Sequence, residues 1–330
     1  MTYLRNAWYM AAWSDELGDQ PLVRTVLEMP LLLYRKQETR DVVAFLDRCP
    51  HRFAPLSLGR RIGDDFQCGY HGLRFNSEGQ CVYNHFAKAI PSAAKLRTFP
   101  VIEQDHMVWV WTGTGAPASR EAIPRFPFHT DPALRCVFGT TLTRADYRLI
   151  SDNLMDLTHT AFLHPEFGGE HYVPKCRAWE EHGSIYADHL IASMPDIFGS
   201  SGSITETDRM RWTAPSTHLL ESHVTMLDES RFSFTIPSAH VLTPESQTAT
   251  HYFWSSAVDR DSPLSNEDLV AGLRRAFDVQ DKPMIEAVQQ RMQGHELWDL
   301  SPVMLPPDAG SVLVRRALQK LIDTEAAATA

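Results

Sequence analysis

Apolar positions in the first third of the chain come in short bursts. The runs 30–34 (PLLLY), 42–46 (VVAFL) and 107–111 (MVWVW) are separated by charged or Gly/Pro-bearing stretches, the pattern of small antiparallel strands. Residues 1–113 therefore predict a β-rich unit. Segment 112–128 (TGTGAPASREAIPRFPF) interrupts periodic hydrophobicity with prolines and glycines. A domain boundary is placed within it, giving domains 1–115 and 116–330.

Beyond that segment the pattern mixes periods. Residues 146–164 read as a helix, 231–242 and 248–258 as strands, and 265–292 as a second helix. Ser265 suits the N-cap of that helix, with Glu267 and Asp268 favourable near its N-terminal dipole. Pro283 should kink or divide it, because proline lacks the N–H and crowds the preceding turn. Residues 310–323 predict a final amphipathic helix with Leu313, Ala317, Leu318 and Leu321 on one side. The Ala-rich tail 326–330 is expected to fray.

Composition narrows the class. A chain of 330 residues, 43% hydrophobic and 22% charged, has material for a core and is not disordered. No run approaches the roughly 18 apolar residues of a membrane span. The N-terminus MTYLRNAWYMAAW lacks a basic lead and an export-type apolar segment, so a cytoplasmic protein is expected. A net charge of −10 offers no attraction to nucleic acid or an anionic membrane. Five cysteines, an odd number without an export signal, argue against a disulfide framework and for a search for metal ligands.

That search finds two loops. Cys49-Pro50-His51 and Cys68-Gly69-Tyr70-His71 each offer one thiolate and one imidazole. Cysteines on one iron and histidines on the other can hold a two-iron, two-sulfide cluster, with a potential of about −150 to +300 mV. A structural Cys2His2 zinc site is the alternative, although its usual spacing groups cysteines with cysteines. Cys81, Cys136 and Cys176 are expected to be buried small hydrophobes.

A second group lies in the first predicted helix. Asn153, Asp156 and His159 are three apart and so share a side. His159 and His164 diverge by about 140° on a regular helix. They can share one metal only if the helix ends or widens between them, and Pro165 is consistent with an ending. Two histidines and a carboxylate with open positions form the facial triad of non-haem Fe(II) oxygenases. Capping and core-satisfied histidines are the alternative. Asp278 and Asp281 are both candidates for the carboxylate.

CPHRFAPLSLG and CGYHGLRF resemble the loops of Rieske aromatic oxygenases, and NLMDLTHTAFLH matches their Asp-x-x-His-x-x-x-x-His motif. The resemblance to the vanillate-type demethylase subunits runs from RNAWYMAAW to the late PDAG segment. It implies an α+β chain: an all-β Rieske domain, then a helix-grip catalytic domain built on an antiparallel sheet. It implies Cys49, His51, Cys68 and His71 as cluster ligands and His159, His164 and Asp281 as iron ligands. Asp281 is favoured over Asp278 because DKPMIE resembles the family's ligand segment, although Gln280 stands where Glu is more usual. Asp156 would bridge a Rieske histidine to a mononuclear-iron histidine across a subunit interface, with Asn153 beside it. The carboxylate is expected to orient the histidine.

The same resemblance implies a homotrimer, O2 as co-substrate, and NAD(P)H electrons arriving through a separate flavin/ferredoxin-type reductase. The reaction implied is monooxygenation of a small aromatic acid, with formaldehyde released from a methoxy group. Ring dihydroxylation, N-demethylation and sulfonate-methyl oxidation are alternatives, as is a Rieske electron carrier without oxygenase activity. In 248–258 alternation puts His251 and Phe253 on one face and Tyr252 and Trp254 on the other. A methoxybenzoate demethylase in the family uses a matching histidine for the substrate carboxylate, so His251 is expected to bind substrate; a structural histidine is the alternative. Segments 165–175 and 195–208 are expected to be entrance loops.

Overall fold

The computed structural model describes residues 2–165, 173–195, 202–228 and 232–329. Its contacts form two compact units, one of Arg5–Arg125 and one running from Phe126 and including the first residues up to Leu4. The division falls at Arg125 rather than at 115/116 because the intervening strap is tied to the first unit. Trp8 Nε1 donates to the Ala118 carbonyl (3.1 Å), Arg120 Nε to Gln104 Oε1 (2.9 Å) and Arg125 Nε to Asp105 Oδ2 (3.0 Å).

The first unit consists of three antiparallel sheets. One has the order β1 (Trp8–Trp13), β11 (Met107–Trp111), β10 (Val101–Gln104). The second has β2 (Leu22–Val26), β3 (Met29–Arg35), β4 (Val42–Leu46) and β9 (Thr98–Phe99). The third has β5 (Arg60–Ile62), β6 (Asp65–Gln67), β7 (Arg74–Phe75) and β8 (Cys81–Tyr83). β1 and β11 are buried along their whole length, which is why they read as unbroken apolar runs.

The second unit is built on one antiparallel sheet of seven strands. These are β12 (Leu134–Thr143), β13 (Lys175–Glu181), β14 (Ser184–Pro195), β15 (Ser203–Thr213), β16 (Thr217–Met226), β17 (Ser233–Ser246) and β18 (Ala249–Asp259), in the order β12-β18-β17-β16-β15-β14-β13. The strands expected at 231–242 and 248–258 are β17 and β18; residue 231 lies outside the described residues, as do 166–172 and 196–201 of the expected entrance loops. The rest of those segments is partly strand: 203–208 belongs to β15.

Register fixes two faces. Tyr252 stands opposite Thr141 and Leu242, and Trp254 opposite Gly139 and His240. Gly139 is required there, because a Cβ would collide with the Trp254 indole. The helices pack on this face. α1 (Tyr147–Met155) reaches it through a 2.9 Å bond between Ser151 Oγ and His218 Nε2. α2 (Thr160–Leu163) follows after a short 3₁₀ turn, Leu157–His159. The helix expected over 146–164 is thus broken at Asp156, which is extended (φ −129°, ψ 95°).

The helix expected over 265–292 is divided too. α3 (Asn266–Arg274), capped by Ser265 as its sequence suggests, passes into a π-helical segment, Arg275–Asp281, and then α4 (Lys282–Met292). The Lys282 amide bonds back to Phe277, and Pro283 has no N–H with which to restore the tighter ladder.

The last helix, α5 (Ala309–Thr329), does not fray at 326–328. Its buried side is Ser311, Val314, Arg315, Leu318, Ile322 and Glu325, whereas Leu321 is exposed. The face is set by an ion pair: Arg315 grips both oxygens of Asp152 on α1 at 2.5–2.9 Å. The three remaining cysteines are not buried: Cys81 and Cys136 are half-buried, and Cys176 is exposed on the edge strand β13. Among the described residues no helix is long and apolar enough to cross a membrane.

Candidate active site

The two Cys/His loops share one backbone design. The Cys49 carbonyl accepts from the Phe53 amide (2.9 Å), and the Cys68 carbonyl from the Gly72 amide (3.1 Å). Phe53 (φ 60°) and Gly72 (φ 75°) make the left-handed turn each loop needs. The loops meet at Gly59 and Gly69, where a Cβ on Gly59 would strike the Gln67 carbonyl. Asp47 anchors the base of the first loop by accepting the Ser57 amide (2.8 Å).

The result is polarised. Cys49 and Cys68 lie in the unit's apolar core with Leu32, Tyr34, Phe45 and Phe66. His51 is exposed and His71 half-buried, with ring centroids 4.4 Å apart. Burial, aided by the Cys68 thiol, pushes Cys49 up to about 11. A thiolate pair is stable here only against a cationic partner. Two inward sulfurs and two outward imidazoles suit a cluster whose histidine-bound iron faces solvent.

In the second unit His159, His164 and Asp281 bring one ligand atom each within 4.8 Å of one another. The helix break solves the five-residue spacing. α2 lasts a single turn, and His164 leaves it with non-helical backbone (φ −122°, ψ 64°), so the two rings approach to 5.3 Å. Asp281 enters from the end of the π segment, with Oδ1 3.5 Å from His159 Nε2 and 3.1 Å from His164 Nε2. Asn153 Nδ2 donates to the same oxygen at 3.5 Å. Asp278 is turned away, accepting from Thr141 Oγ1 and Arg274.

Both rings are oriented from behind. His159 Nδ1 lies 2.7 Å from the Asp156 backbone carbonyl, and His164 Nδ1 lies 2.7 Å from Gln280 Oε1. Each acceptor takes the Nδ1 proton and leaves Nε2 for a metal. Burial lowers the His159 pKa against the opposing pull of Asp281, which keeps the ring in the neutral form a metal requires. The expectation that the Asp156 carboxylate orients His159 is corrected: the carbonyl does so. Asp156 Oδ1 instead caps the 3₁₀ turn, accepting the Thr158 amide (2.9 Å) and hydroxyl (2.7 Å).

His251 does not join this group. Unbroken alternation along β18 puts it with Phe253 on the face away from the helices. The face toward Asp281 carries Tyr252 and Trp254, both ringed by Phe277 of the π segment, and His240, whose Nδ1 lies 2.7 Å from the Tyr252 hydroxyl. His240 Nε2 has no partner among the described residues, and burial pushes this imidazole down to about 4. No local cue marks His240; the register of β17 against β18 reveals its side.

Cysteine–histidine loops of this polarity, joined in one chain to a two-histidine, one-carboxylate cluster, define a Rieske non-haem iron oxygenase. Family models agree: the Rieske [2Fe-2S] domain matches residues 7–100 and the vanillate O-demethylase oxygenase C-terminal domain matches 143–324. The chain belongs to the vanillate O-demethylase-type Rieske oxygenases. It is 37% identical to the dicamba O-demethylase oxygenase component of Stenotrophomonas maltophilia, over 99% of this chain and 100% of that one. It is 36% identical to the chloroacetanilide N-alkylformylase oxygenase component of Rhizorhabdus wittichii, over 98% and 97% of the two chains. The crystal structure of dicamba monooxygenase bound to 3,6-dichlorosalicylic acid superposes with a TM-score of 0.89 at 35% identity, over 99% and 100% of the chains. The protein is accordingly an oxygenase component using a Rieske cluster, non-haem iron and O2, which sets aside the zinc and pure electron-carrier alternatives.

Proposed function

We propose that this oxygenase removes an O-alkyl group from a small aromatic substrate, with His159, His164 and Asp281 holding the iron and Cys49, His51, Cys68 and His71 the cluster. The observation that carries this reading is the position of the His159–His164–Asp281 group. Both Nε2 atoms face Asp281, whose charge reaches buried His240 and Tyr252 on the sheet, and Tyr252 and Trp254 pack against Phe277 of the π segment. Iron bound there supplies activation of O2. The aromatic wall holds a flat substrate beside it and excludes water. His240 Nε2, neutral and buried, offers one hydrogen bond to fix the ring.

Hydroxylation of a methoxy carbon breaks its C–H bond and forms a C–O bond. The hemiacetal then loses its hydroxyl proton as the bond between its carbon and the phenolic oxygen breaks, and that oxygen takes up a proton, giving a phenol and formaldehyde. The second oxygen atom leaves as water, with two electrons and one proton supplied from NAD(P)H through a separate reductase and the second proton from solvent. Asp156 carries electrons in from the cluster of a neighbouring subunit in a head-to-tail homotrimer. Two features support that route: Asp156 Oδ2 makes no hydrogen bond among the described residues, and the cluster-ligand imidazoles lie at the surface of their own unit.

Dealkylation at nitrogen is a second reading, and the lack of a cation on the helix-bearing face of strands β14 to β17 favours it over a carboxylate-bearing substrate. Glu206 and Asp208 stand on the helix-bearing face, and the strands β14 to β17 put no Lys or Arg there. The test is aldehyde release with a surrogate reductase across methoxybenzoates and neutral N-alkyl anilides. O-dealkylation predicts formaldehyde matching O2 consumed with the ethers. NAD(P)H oxidation without aldehyde from any ether contradicts it.

A further inference from the structure

The break at Asp156 is held by a residue of the sheet. Asp156 caps the Thr158 amide with its own carboxylate, which leaves the Leu157 amide at the start of the 3₁₀ turn in need of another acceptor. His189, buried on β14, provides it: Nε2 accepts the Leu157 N–H at 3.2 Å and lies 3.8 Å from Asp156 Oδ1. An imidazole accepts only through an unprotonated nitrogen, so the proton sits on Nδ1. That Nδ1 has no partner among the described residues. A buried donor without a partner is a cost to the fold, so what His189 contributes here is the acceptor it presents to the Leu157 amide; leucine would fill the same place and leave that amide without one.

We propose that His189 is a positioning residue for the oxygenase reaction. By accepting the Leu157 amide, it holds Asp156 in the extended conformation whose carbonyl orients His159 and whose carboxylate receives electrons. This rests on the active-site reading above and adds to it a residue that touches no metal. Without the acceptor, the Leu157 amide must turn elsewhere, and the Asp156 carbonyl moves with the peptide that joins them.

The test uses iron-loaded holoenzyme carrying His189→Leu, which keeps bulk without an acceptor, or His189→Gln, whose Oε1 can reach the Leu157 amide. Two readouts separate positioning from packing: the EPR line shape of the ferrous site with nitric oxide, and cluster reoxidation in a single turnover without reductase. The leucine variant is expected to keep the cluster spectrum, alter the nitrosyl signal and slow reoxidation by about 10- to 100-fold. The glutamine variant is expected to keep the wild-type signal and stay within a few-fold in rate. A leucine variant like wild type in both readouts, or a glutamine variant impaired in either, overturns the proposal. The glutamine result stands alone if the leucine variant does not fold. A wild-type protein lacking the nitrosyl signal contradicts the active-site reading itself, and this proposal with it.

Discussion

His159 Nδ1–H donates a hydrogen bond to the backbone carbonyl of Asp156, 2.7 Å away, while the Asp156 carboxylate is occupied with Thr158. One residue thus orients an iron ligand with its main chain and keeps its side chain for another task. Side-chain substitution should separate the two. Asp156→Asn keeps the capping oxygen and the carbonyl, so both metals stay bound, but turnover falls by about 100-fold because the charge is lost. Asp156→Ala behaves alike and also loses the cap, worth about 1 kcal/mol. Metal analysis beside single-turnover reoxidation checks this; full activity in the asparagine variant refutes the bridging role.

Gln280 does for His164 what the Asp156 carbonyl does for His159. Gln280→Leu removes the acceptor and should weaken iron retention by about 10- to 100-fold in chelator competition, with the Rieske spectrum unchanged. Gln280→Glu restores an acceptor and should retain iron at least as well as wild type.

The buried acids of β15 predict a pH effect on stability. Burial, with Asp208 adding, holds Glu206 up to about 8. Between its ordinary value near 4.3 and about 8 the folded chain binds a proton that the unfolded chain releases. Stability therefore falls as pH rises through that window. Buried His218 and His240, pushed down to about 3 and about 4, act in the opposite direction but only below about 6.5. Melting temperature should decline from pH 7 to 8 in the wild type, and Glu206→Gln should flatten that decline. Equal slopes in the two proteins would exclude Glu206 as its source.

Arg315 and Asp152 join α5 to α1, the helix that leads into the iron ligands. Arg315→Ala leaves a largely buried carboxylate unpaired and should cost about 3–5 kcal/mol in denaturant unfolding. A double change, Arg315→Met with Asp152→Leu, should recover most of that loss.

Much of this architecture is legible in the sequence because its cues are local. Within each Cys/His loop the two ligands lie two or three residues apart, and β3, β4 and β11 announce themselves as apolar runs. What depends on distant packing is not legible. The break at Asp156 has no proline or glycine to mark it and is held by His189, far along the chain. The π segment puts Asp281 into the site, and its only sequence sign is Pro283. Alternation within β18 separates His251 from Tyr252 and leaves His240 on β17 unmarked, and it does not say which face the helices cover. That depends on α1 meeting His218 and on Phe277 meeting Tyr252 and Trp254.

Iron and acid-labile sulfide per chain test the central claim most directly, that a cluster and a separate iron share this protein. The account predicts about three irons and about two sulfides in the wild type. His159→Ala should lower iron to about two with sulfide unchanged. Two irons in the wild type, with no further loss in His159→Ala, would contradict it.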